Sequence, residues 1–368
     1  MLLMSMFVAL VLAAVACSSE KATPTSPPAQ PTATTKKIIV GALHVGSMTD
    51  AGYNQAQHEG LLLMQKNIPG VQLLEAENVP ESADAERVME NMIQQGATII
   101  FPQSFGYLDP ALNVAKKYPN VTFEHPAGYK LAPNLGTYWA ASDQFTYLLG
   151  IAAGKLTKTN KLGFIGGFPI PNIIYSINAF ELGARSVNPN VQTIAVFDSA
   201  WLDPGKEAAT TNTLADQGVD VVTMIVDSPI TVVQTAEKRG IYSIGFHSTE
   251  VQKFAPNYWI GGVGFTWGGF FTQVVKDVQA GTWKSQNVIG DLSSGMATLG
   301  PWGSKVPNDV QQLIEAKRQE FLKGTLQVFK GPIKDQQGTL RINAGEVGAS
   351  NLVNTMDWFI EGVIGKTS

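Results

Sequence analysis

The sequence has few of the residues that build disulfides, metal sites and basic binding faces. It contains 368 residues with one cysteine and four histidines, and its formal net charge is −4. One cysteine excludes an intramolecular disulfide framework and any cysteine-rich zinc site. The histidines never stand at the spacing of a helical ligand pair, so no metal site is expected. An acidic net charge gives no reason to expect nucleic-acid binding, which usually shows as a basic patch or domain.

Motifs of phosphate loops, dinucleotide sites and serine hydrolases are also missing. Gly365-Lys366-Thr367 lacks the earlier glycine of a phosphate loop, because Ile360 stands at that position. Gly163 to Phe168 does not have the dinucleotide-binding spacing, and there is no Gly-x-Ser-x-Gly. We therefore expect a protein that is not an enzyme and needs no cofactor.

The N-terminus differs from the rest of the chain. Residues 1–16 are uncharged and apolar, a run too short for the ~20 residues of a membrane-spanning helix but suited to a signal peptide. Small residues precede Cys17, as in a bacterial lipoprotein signal, which predicts that Cys17 carries a lipid. A plain secretory peptide with an incidental cysteine is the alternative. Residues 18–35 are rich in Pro, Thr, Ser and Ala, which predicts that residues 17–36 form a lipidated, disordered tether.

The remaining sequence alternates short apolar runs with amphipathic stretches. This pattern predicts buried parallel strands joined by helices. The first series of predicted strands is 38–43, 71–76, 98–101 and 121–124, and the second is 162–166, 192–197, 219–226, 241–246 and 259–263. Ser82 is predicted to cap the helix that ends near Gly96, and another helix is predicted from Gly268 to Ala280.

Two successive series of this kind predict an α/β protein with two parallel-sheet lobes. We assign residues 37–156 and about 268–325 to an N-terminal lobe. Residues 157–267 and about 326–368 are assigned to a C-terminal lobe. Parallel sheets bind ligands at the carboxyl ends of their strands, so a cleft is expected where two such edges face each other.

Polar and aromatic residues follow several of these predicted strands. Asp109, Asp203 and Ser228 stand beside prolines, where they can cap helices or contact a ligand, and both interpretations stay open. Aromatic residues in the loops after strands are typical of a site that stacks a flat, neutral ring. The aromatic residues at these positions are Tyr53, Phe105, Trp201 and Trp267.

At these residues the sequence resembles the basic membrane protein family, the nucleoside-receptor-like substrate-binding lipoproteins of ABC transporters. The resemblance runs from Lys37 to the end of the chain. The matching segments are 77–81, 83–87, 104–107, 123–125 with 128–129, 177–180, 201–207, 227–228, 267–268, 331–333 with Asp335 and Gly338, and 356–358. The family implies a type I periplasmic-binding-protein fold, in which two doubly wound parallel-sheet lobes, joined by a multi-strand hinge, close on a ligand.

The resemblance also implies site residues. Nucleoside-binding members have an aromatic-Asn pair after the first strand, matched here by Tyr53-Asn54, and a second stacking aromatic, matched by Trp201. Their ribose-binding Asp and Lys are not present here, because His247 and Trp267 stand at those places. Losing both charged partners of the ribose hydroxyls and gaining ring surface favours a ligand without a sugar.

We therefore expect a purine base stacked between Tyr53 and Trp201. Asn54, Ser104 and Asp227, followed by Ser228, are its expected polar partners. Phe105, His247 and Trp267 are expected to close the ribose side. A nucleoside-binding protein of the same family, a ligand sensor without transport and a periplasmic nucleoside-processing enzyme are the alternatives. The expected partner is an ABC permease, and the expected location is extracytoplasmic, anchored to the membrane through lipid or periplasmic.

Overall fold

The computed structural model describes residues 38–367, and two parallel sheets organise them. The predicted signal peptide, the lipidated Cys17 and the tether lie outside the described residues. The first sheet is parallel throughout. In spatial order its strands are β11 (Asn287–Gly290), β5 (Leu135–Ala140), β4 (Thr122–Pro126), β3 (Ile99–Gln103), β1 (Ile39–His44) and β2 (Gln72–Ala76).

The second sheet repeats the strand order of the first. In spatial order it contains β12 (Ala297–Leu299), β10 (Trp259–Phe265), β9 (Tyr242–Gly245), β8 (Val221–Ile225), β6 (Lys161–Gly166), β7 (Gln192–Phe197) and β15 (Val363–Ile364). Only β12 pairs antiparallel within this sheet of the described chain. In both sheets the first strand in sequence has neighbours on two sides, so each sheet reverses its winding there, where doubly wound folds bind ligands.

Helices cover both sheets. Those of the first sheet are α1 (Tyr53–Asn67), α2 (Ala83–Gln94), α3 (Leu108–Lys117) and α8 (Gly268–Ala280). Those of the second are α4 (Ser142–Leu156), α5 (Pro171–Arg185), α6 (Pro204–Asp216), α7 (Ile230–Arg239), α9 (Asn308–Leu322) and the short α10 (Leu352–Thr355). Short 3₁₀ turns span Phe105–Tyr107 and Glu250–Phe254, and β13 (Ile333–Lys334) pairs with β14 (Leu340–Ile342). Within residues 38–367, no helix is long and apolar enough to cross a bilayer.

Two of the four predicted caps form. Ser82 Oγ accepts from Asp84 N at 3.2 Å and begins α2, and Asp203 Oδ1 accepts from Lys206 N at 3.0 Å and begins α6. Asp109 and Ser228 do not cap. Asp109 lies inside the first turn of α3 and pairs with Lys130, and α7 begins after Pro229, beyond Ser228.

The lobe boundaries need two corrections. Residues 142–156 were assigned to the N-terminal lobe, but α4 packs against α5, which covers the second sheet. Two glycines permit this packing, because a Cβ on Gly150 would overlap the Phe180 carbonyl and a Cβ on Gly183 would overlap that of Tyr147. Helix α9 in turn packs on α4, and β12 pairs with β10, so these parts of the 268–325 segment also join the second sheet. The chain therefore crosses between lobes after β5, after β10 and between β11 and β12.

The sequence pattern missed β5, between the predicted strand at 121–124 and α4, and the short strands β11 to β15. Strand β5 lies between β4 and β11, and all six of its residues are buried. This strand ends where the chain first crosses between lobes, and it carries Tyr138 and Trp139 to the edge of the cleft.

Candidate functional site

A cavity lies between the carboxyl-terminal edges of the two sheets. It encloses about 430 Å³ when the open space at its mouth is included. The first sheet contributes an N-terminal wall, consisting of Tyr53, Ser104, Phe105, Ala127 and Trp139. The second contributes a C-terminal wall, consisting of Ile170, Asn172, Ile173, Trp201, Ile225, Val226, Asp227 and His247.

The structure brings six of the nine predicted site residues to this cavity. They are Tyr53, Ser104, Phe105, Trp201, Asp227 and His247. Asn54, Ser228 and Trp267 do not line it. Ser228 follows Asp227 directly but is turned away from the cavity lining, whereas Asn54 and Trp267 are buried behind the N-terminal wall.

Asn54 is fully engaged by the protein. Its Nδ2 donates to Asp50 Oδ2 at 2.8 Å and to Asp227 Oδ2 at 3.1 Å, and its Oδ1 accepts from Gly46 N at 3.1 Å. Asp50 in turn accepts from the backbone of Gly52, Asn54 and Gln55. In this structure Asn54 therefore connects the first α1 turn to the opposite lobe, and its contact with a ligand stays a prediction.

Backbone contacts close the cleft at the same place. Tyr53 N donates to the carbonyl oxygen of Asp227 at 2.8 Å, across the two lobes. A Cβ on Gly52 would overlap that same carbonyl oxygen, so only glycine permits the approach. The loop after β1 and the loop after β8 thus meet beneath the cavity.

Glu81 forms a second connection across the cleft. Its Oε1 accepts hydrogen bonds from Ser104 Oγ and, at 2.9 Å, from Gly106 N, both in the N-terminal wall region. Its Oε2 accepts from Trp201 Nε1 of the opposite wall at 3.2 Å. Trp201 also contacts Phe168 edge-to-face, with 4.8 Å between ring centroids. The indole predicted to stack on the ligand is therefore held from both lobes.

Asp227 is the acidic side chain in the cavity lining. Burial, followed by repulsion from Asp50, raises its pKa well above the ordinary value. Oδ2 accepts from Asn54, whereas Oδ1 accepts no hydrogen bond from any residue between 38 and 367. A ligand that donates an N–H can bind to this second oxygen.

His247 presents a neutral imidazole. Burial lowers its pKa to about 3, and its Nδ1 is enclosed without a hydrogen-bond partner in the described chain. Its backbone lies in the left-handed region at φ +69°, as does that of Ala127 at +53°, a conformation that non-glycine residues adopt at a cost and that gathers at functional sites. The ring meets Tyr53 edge-to-face, with 5.1 Å between centroids.

Trp267 supports the cavity from behind. It is 1% exposed and stacks on Phe265 with 5.0 Å between ring centroids and 7° between planes. It also lies 5.5 Å from Trp139, which does line the cavity. Trp267 is therefore not part of the cavity lining in this structure, where Trp139 stands between it and the cavity, and its contact with a ligand stays a prediction.

Sequence reasoning missed two polar residues of the lining. Trp139 Nε1 and Asn172 Oδ1 are both enclosed without a hydrogen-bond partner among the described residues. Trp139 lies on β5, one of the strands that were missed. Asn172 is in the first turn of α5, directly after Pro171, and a polar residue at a helix start after a predicted strand was a signal that could have found it.

The assembled cavity has aromatic surfaces on both walls and a few unpartnered polar atoms, which fits a flat, polar, mostly uncharged ligand. In the part of the chain that the structure describes, no three His, Cys, Asp or Glu side chains gather where they could hold a metal ion.

Comparisons with known proteins agree with this arrangement. Residues 37–330 match the family model for Bmp, described as ABC transporter substrate-binding protein, PnrA-like. A purine-binding protein of Brucella abortus is 38% identical, over 90% of this chain and 94% of its own. A candidate ABC transporter glucose-binding protein of Haloferax volcanii is 31% identical, over 88% of this chain and 80% of its own.

Among solved structures, a solute-binding protein of an ABC transporter system from Aeropyrum pernix superposes with a TM-score of 0.68. It is 19% identical and covers 81% of this chain and 93% of its own. At this identity the likeness concerns the fold, and it confirms the two-lobed type I periplasmic-binding-protein fold that the resemblance implied.

Proposed function

The chain belongs to the Bmp family of PnrA-like ABC transporter substrate-binding proteins, and on that premise we propose that it binds a free purine base between its lobes and delivers it to an ABC permease. Proteins of this class work outside the cytoplasm and bind their substrates without chemical conversion. The choice of a purine base as the ligand is the part of this proposal that goes beyond the family assignment.

The observation that carries this proposal is the pairing of Tyr53 and Trp201 on opposite walls of one cavity. Two aromatic rings brought together by lobe closure provide the stacking surfaces that a purine needs. Closure then depends on the ligand, because a base held between the rings stabilises the closed population relative to the open one. The purine-binding relative from Brucella abortus supports the same ligand class.

Hydrogen bonds to the purine edge come from the unpartnered atoms of the lining. Asp227 Oδ1 accepts from an N–H of the base, and Asn172 contributes a carboxamide on the same wall. Ser104 donates its hydroxyl proton to Glu81, so its oxygen is left as an acceptor. These partners replace Asn54, whose hydrogen-bonding atoms are all engaged within the protein.

The aromatic end of the cavity favours a base over a nucleoside. His247 and Trp139 line that end, and Phe265 and Trp267 pack behind them. A ribose brings several hydroxyl groups that need polar partners, and leaving them unpaired in a buried site is unfavourable. A neutral imidazole and an indole provide far fewer such partners than a carboxylate and an ammonium group.

Calorimetry on the purified protein tests this proposal. Adenine, hypoxanthine, guanine and xanthine are titrated beside the matching nucleosides and glucose, the sugar named for the Haloferax relative. We expect at least one base to bind at least tenfold tighter than its nucleoside, with no binding of glucose. Equal affinity for base and nucleoside makes the protein a nucleoside receptor, and binding of glucose alone overturns the purine assignment.

We also propose that Cys17 is lipidated and anchors the protein to the outer face of the membrane. The apolar run before it and the polar tether after it support this assignment. Fractionation of cells that express the wild type or Cys17→Ser tests it. The wild type is expected in the membrane fraction, and the variant is expected to lose both the lipid mass and the membrane association.

A further inference from the structure

Trp139 has a buried indole N–H with nothing to donate to. The side chain is 6% exposed, and Nε1 lacks a hydrogen-bond partner among residues 38–367. Three other indoles of the described chain have partners. Trp259 donates to the Pro301 carbonyl at 2.9 Å, and Trp283 donates to Glu124 at 2.7 Å. Trp201 donates to Glu81.

The ring is held in place by its neighbours. Phe265 and Trp267 lie 5.4 and 5.5 Å away, centroid to centroid, and Tyr53 lies at 6.5 Å. An indole packed on this side by aromatic rings cannot turn towards another acceptor without disrupting them. Because an unsatisfied buried donor is unfavourable, its persistence needs an explanation. The cavity that Trp139 lines is where an acceptor can be supplied.

Resting on the proposed function, we propose that Trp139 is a specificity-determining residue whose N–H donates to an acceptor on the purine. An indole N–H can only donate, so its partner is an unprotonated ring nitrogen or an exocyclic carbonyl oxygen. Asp227 Oδ1 and Asn172 Oδ1 have the opposite polarity because they accept, and the unpartnered His247 Nδ1 donates or accepts according to its tautomer. The site therefore selects a flat ligand that accepts at the Trp139 edge and donates at the Asp227 edge.

The decisive variant is Trp139→Phe, which keeps an aromatic ring in the cluster and removes the donor. We expect affinity for the base that the wild type binds most tightly to fall about tenfold, the effect of ~1.4 kcal/mol. The ligand-free variant is expected to melt at the same temperature as the wild type or higher, because the unsatisfied donor has gone. Trp302→Phe, a partly buried indole outside the cavity lining, is the matched control and should leave affinity unchanged.

Deaza analogues identify the acceptor. When adenine is the ligand, 1-, 3- and 7-deazaadenine each replace one accepting nitrogen by C–H. We expect one of them to bind the wild type about tenfold more weakly than adenine, and to bind Trp139→Phe as well as adenine does. When the ligand is an oxopurine, Trp139→Phe can lose affinity while the relative affinities of the deaza analogues stay the same. That result identifies the carbonyl oxygen as the acceptor.

Each result separates this inference from the proposed function. A wild type that binds none of the four purine bases refutes both. A wild type that binds a base, with a Trp139→Phe variant that binds it within twofold, refutes this inference alone. A Trp139→Phe variant that binds weakly but also melts at a lower temperature without ligand makes Trp139 a structural residue, and that too overturns the assignment.

Discussion

The two walls of the cleft differ in how many of their polar groups are already hydrogen-bonded within the protein. In and behind the N-terminal wall, Ser104, Asp50 and Asn54 are engaged by other protein groups. In the C-terminal wall, Asp227 keeps one oxygen free, and Asn172 and His247 each have an enclosed atom without a partner. The lining of the N-terminal wall is thus mostly hydrogen-bonded within the protein, whereas polar atoms of the C-terminal wall are free for the proposed ligand.

In our proposal the two walls therefore have different roles in ligand binding. Internal hydrogen bonds hold the N-terminal loops in one geometry, so that wall provides a preformed surface against which the other lobe closes. Free donors and acceptors on the C-terminal wall decide which ligand makes closure favourable. Among the residues that line the cavity on the N-terminal side, Trp139 is the exception, because its enclosed donor has no partner.

The largest effect is expected at Trp201, which belongs to the C-terminal wall but is bonded to the N-terminal side. Trp201→Ala removes both the stacking surface and the bond to Glu81. Because stacking of one base on an aromatic ring contributes ~1–3 kcal/mol, affinity for the base should fall roughly 100-fold. Calorimetry measures this loss. Trp201→Phe keeps a ring and should lose only a few-fold, and equal losses in both variants would contradict the stacking role.

Asp227→Asn tests whether the buried carboxyl group of the C-terminal wall favours ligand binding but destabilises the ligand-free protein. A carboxyl group whose pKa rises on folding holds protons more tightly in the folded state, so stability falls as pH rises above its unfolded pKa. The ligand-free variant should therefore be more stable than the wild type at neutral pH, and the gain should vanish at acidic pH. Affinity should fall up to about tenfold, since an ordinary hydrogen bond contributes ~0.5–1.5 kcal/mol.

The control for Asp227→Asn is Glu181→Gln. Burial raises the pKa of Glu181 to about 7, and its side chain bonds to Thr193, outside the cavity lining. Melting curves from pH 4 to 8 should show a similar trend in both variants. Only Asp227→Asn should change the calorimetric affinity, and a loss of affinity in Glu181→Gln would show that stability alone governs binding.

Glu81→Gln weakens the connection between the walls without changing the cavity lining. A carboxamide has one accepting oxygen, so the bonds to one of the two walls are lost, closure becomes less favourable and affinity should fall about threefold. Glu77→Gln is the matched control, because Glu77 accepts from Ser47 and Met48 within the N-terminal lobe. Stopped-flow measurements should show the effect of Glu81→Gln as faster ligand release. Unchanged release would mean that Glu81 does not connect the walls.

Substitution of Glu75 is expected to have the smallest effect on binding. Its pKa shifts in the direction opposite to that of Asp227. It lies outside the cavity and accepts from His44 and His58 at 3.0 and 2.9 Å. Burial raises its pKa, but these two hydrogen bonds outweigh burial and lower the pKa below the ordinary value. Its contribution to stability is therefore present at neutral pH and lost as pH falls through that lowered pKa.

Glu75→Gln should leave base affinity unchanged and reduce stability at pH 7 by about 1–2 kcal/mol. Calorimetry measures the affinity, and denaturant unfolding at pH 7 and in acid measures the stability. The difference between variant and wild type should shrink in acid, and a constant difference would show that the charge of Glu75 does not stabilise the fold.

Local sequence patterns predicted much of the fold because they depend on neighbouring residues. The strand at Gln192–Phe197 and the helix at Gly268–Ala280 have the predicted bounds, and Ser82 and Asp203 cap as expected. Strand β5 was missed although all six of its residues are buried, and its pairing with β11, from a distant part of the chain, is a contact that no local pattern records.

The assignment of α4 failed for a related reason. Its sequence predicts a helix, but nothing in it shows which sheet it covers. Close approach of α4 to α5 through Gly150 and Gly183 decides that, and it is a contact between residues more than thirty positions apart.

By itself, the sequence determined that two sheets end in loops bearing Tyr53, Phe105, Trp201 and Asp227, because strand period and chain direction place those residues at the carboxyl edges. Only the tertiary structure decided which polar atoms stay free. The Asn54 amide donates its hydrogen bonds to Asp50 and Asp227, and Trp267 is enclosed behind Trp139. The Trp139 indole N–H is left without a hydrogen-bond partner. Hydrogen-bond partners and burial arise from contacts between distant segments, which no local pattern records.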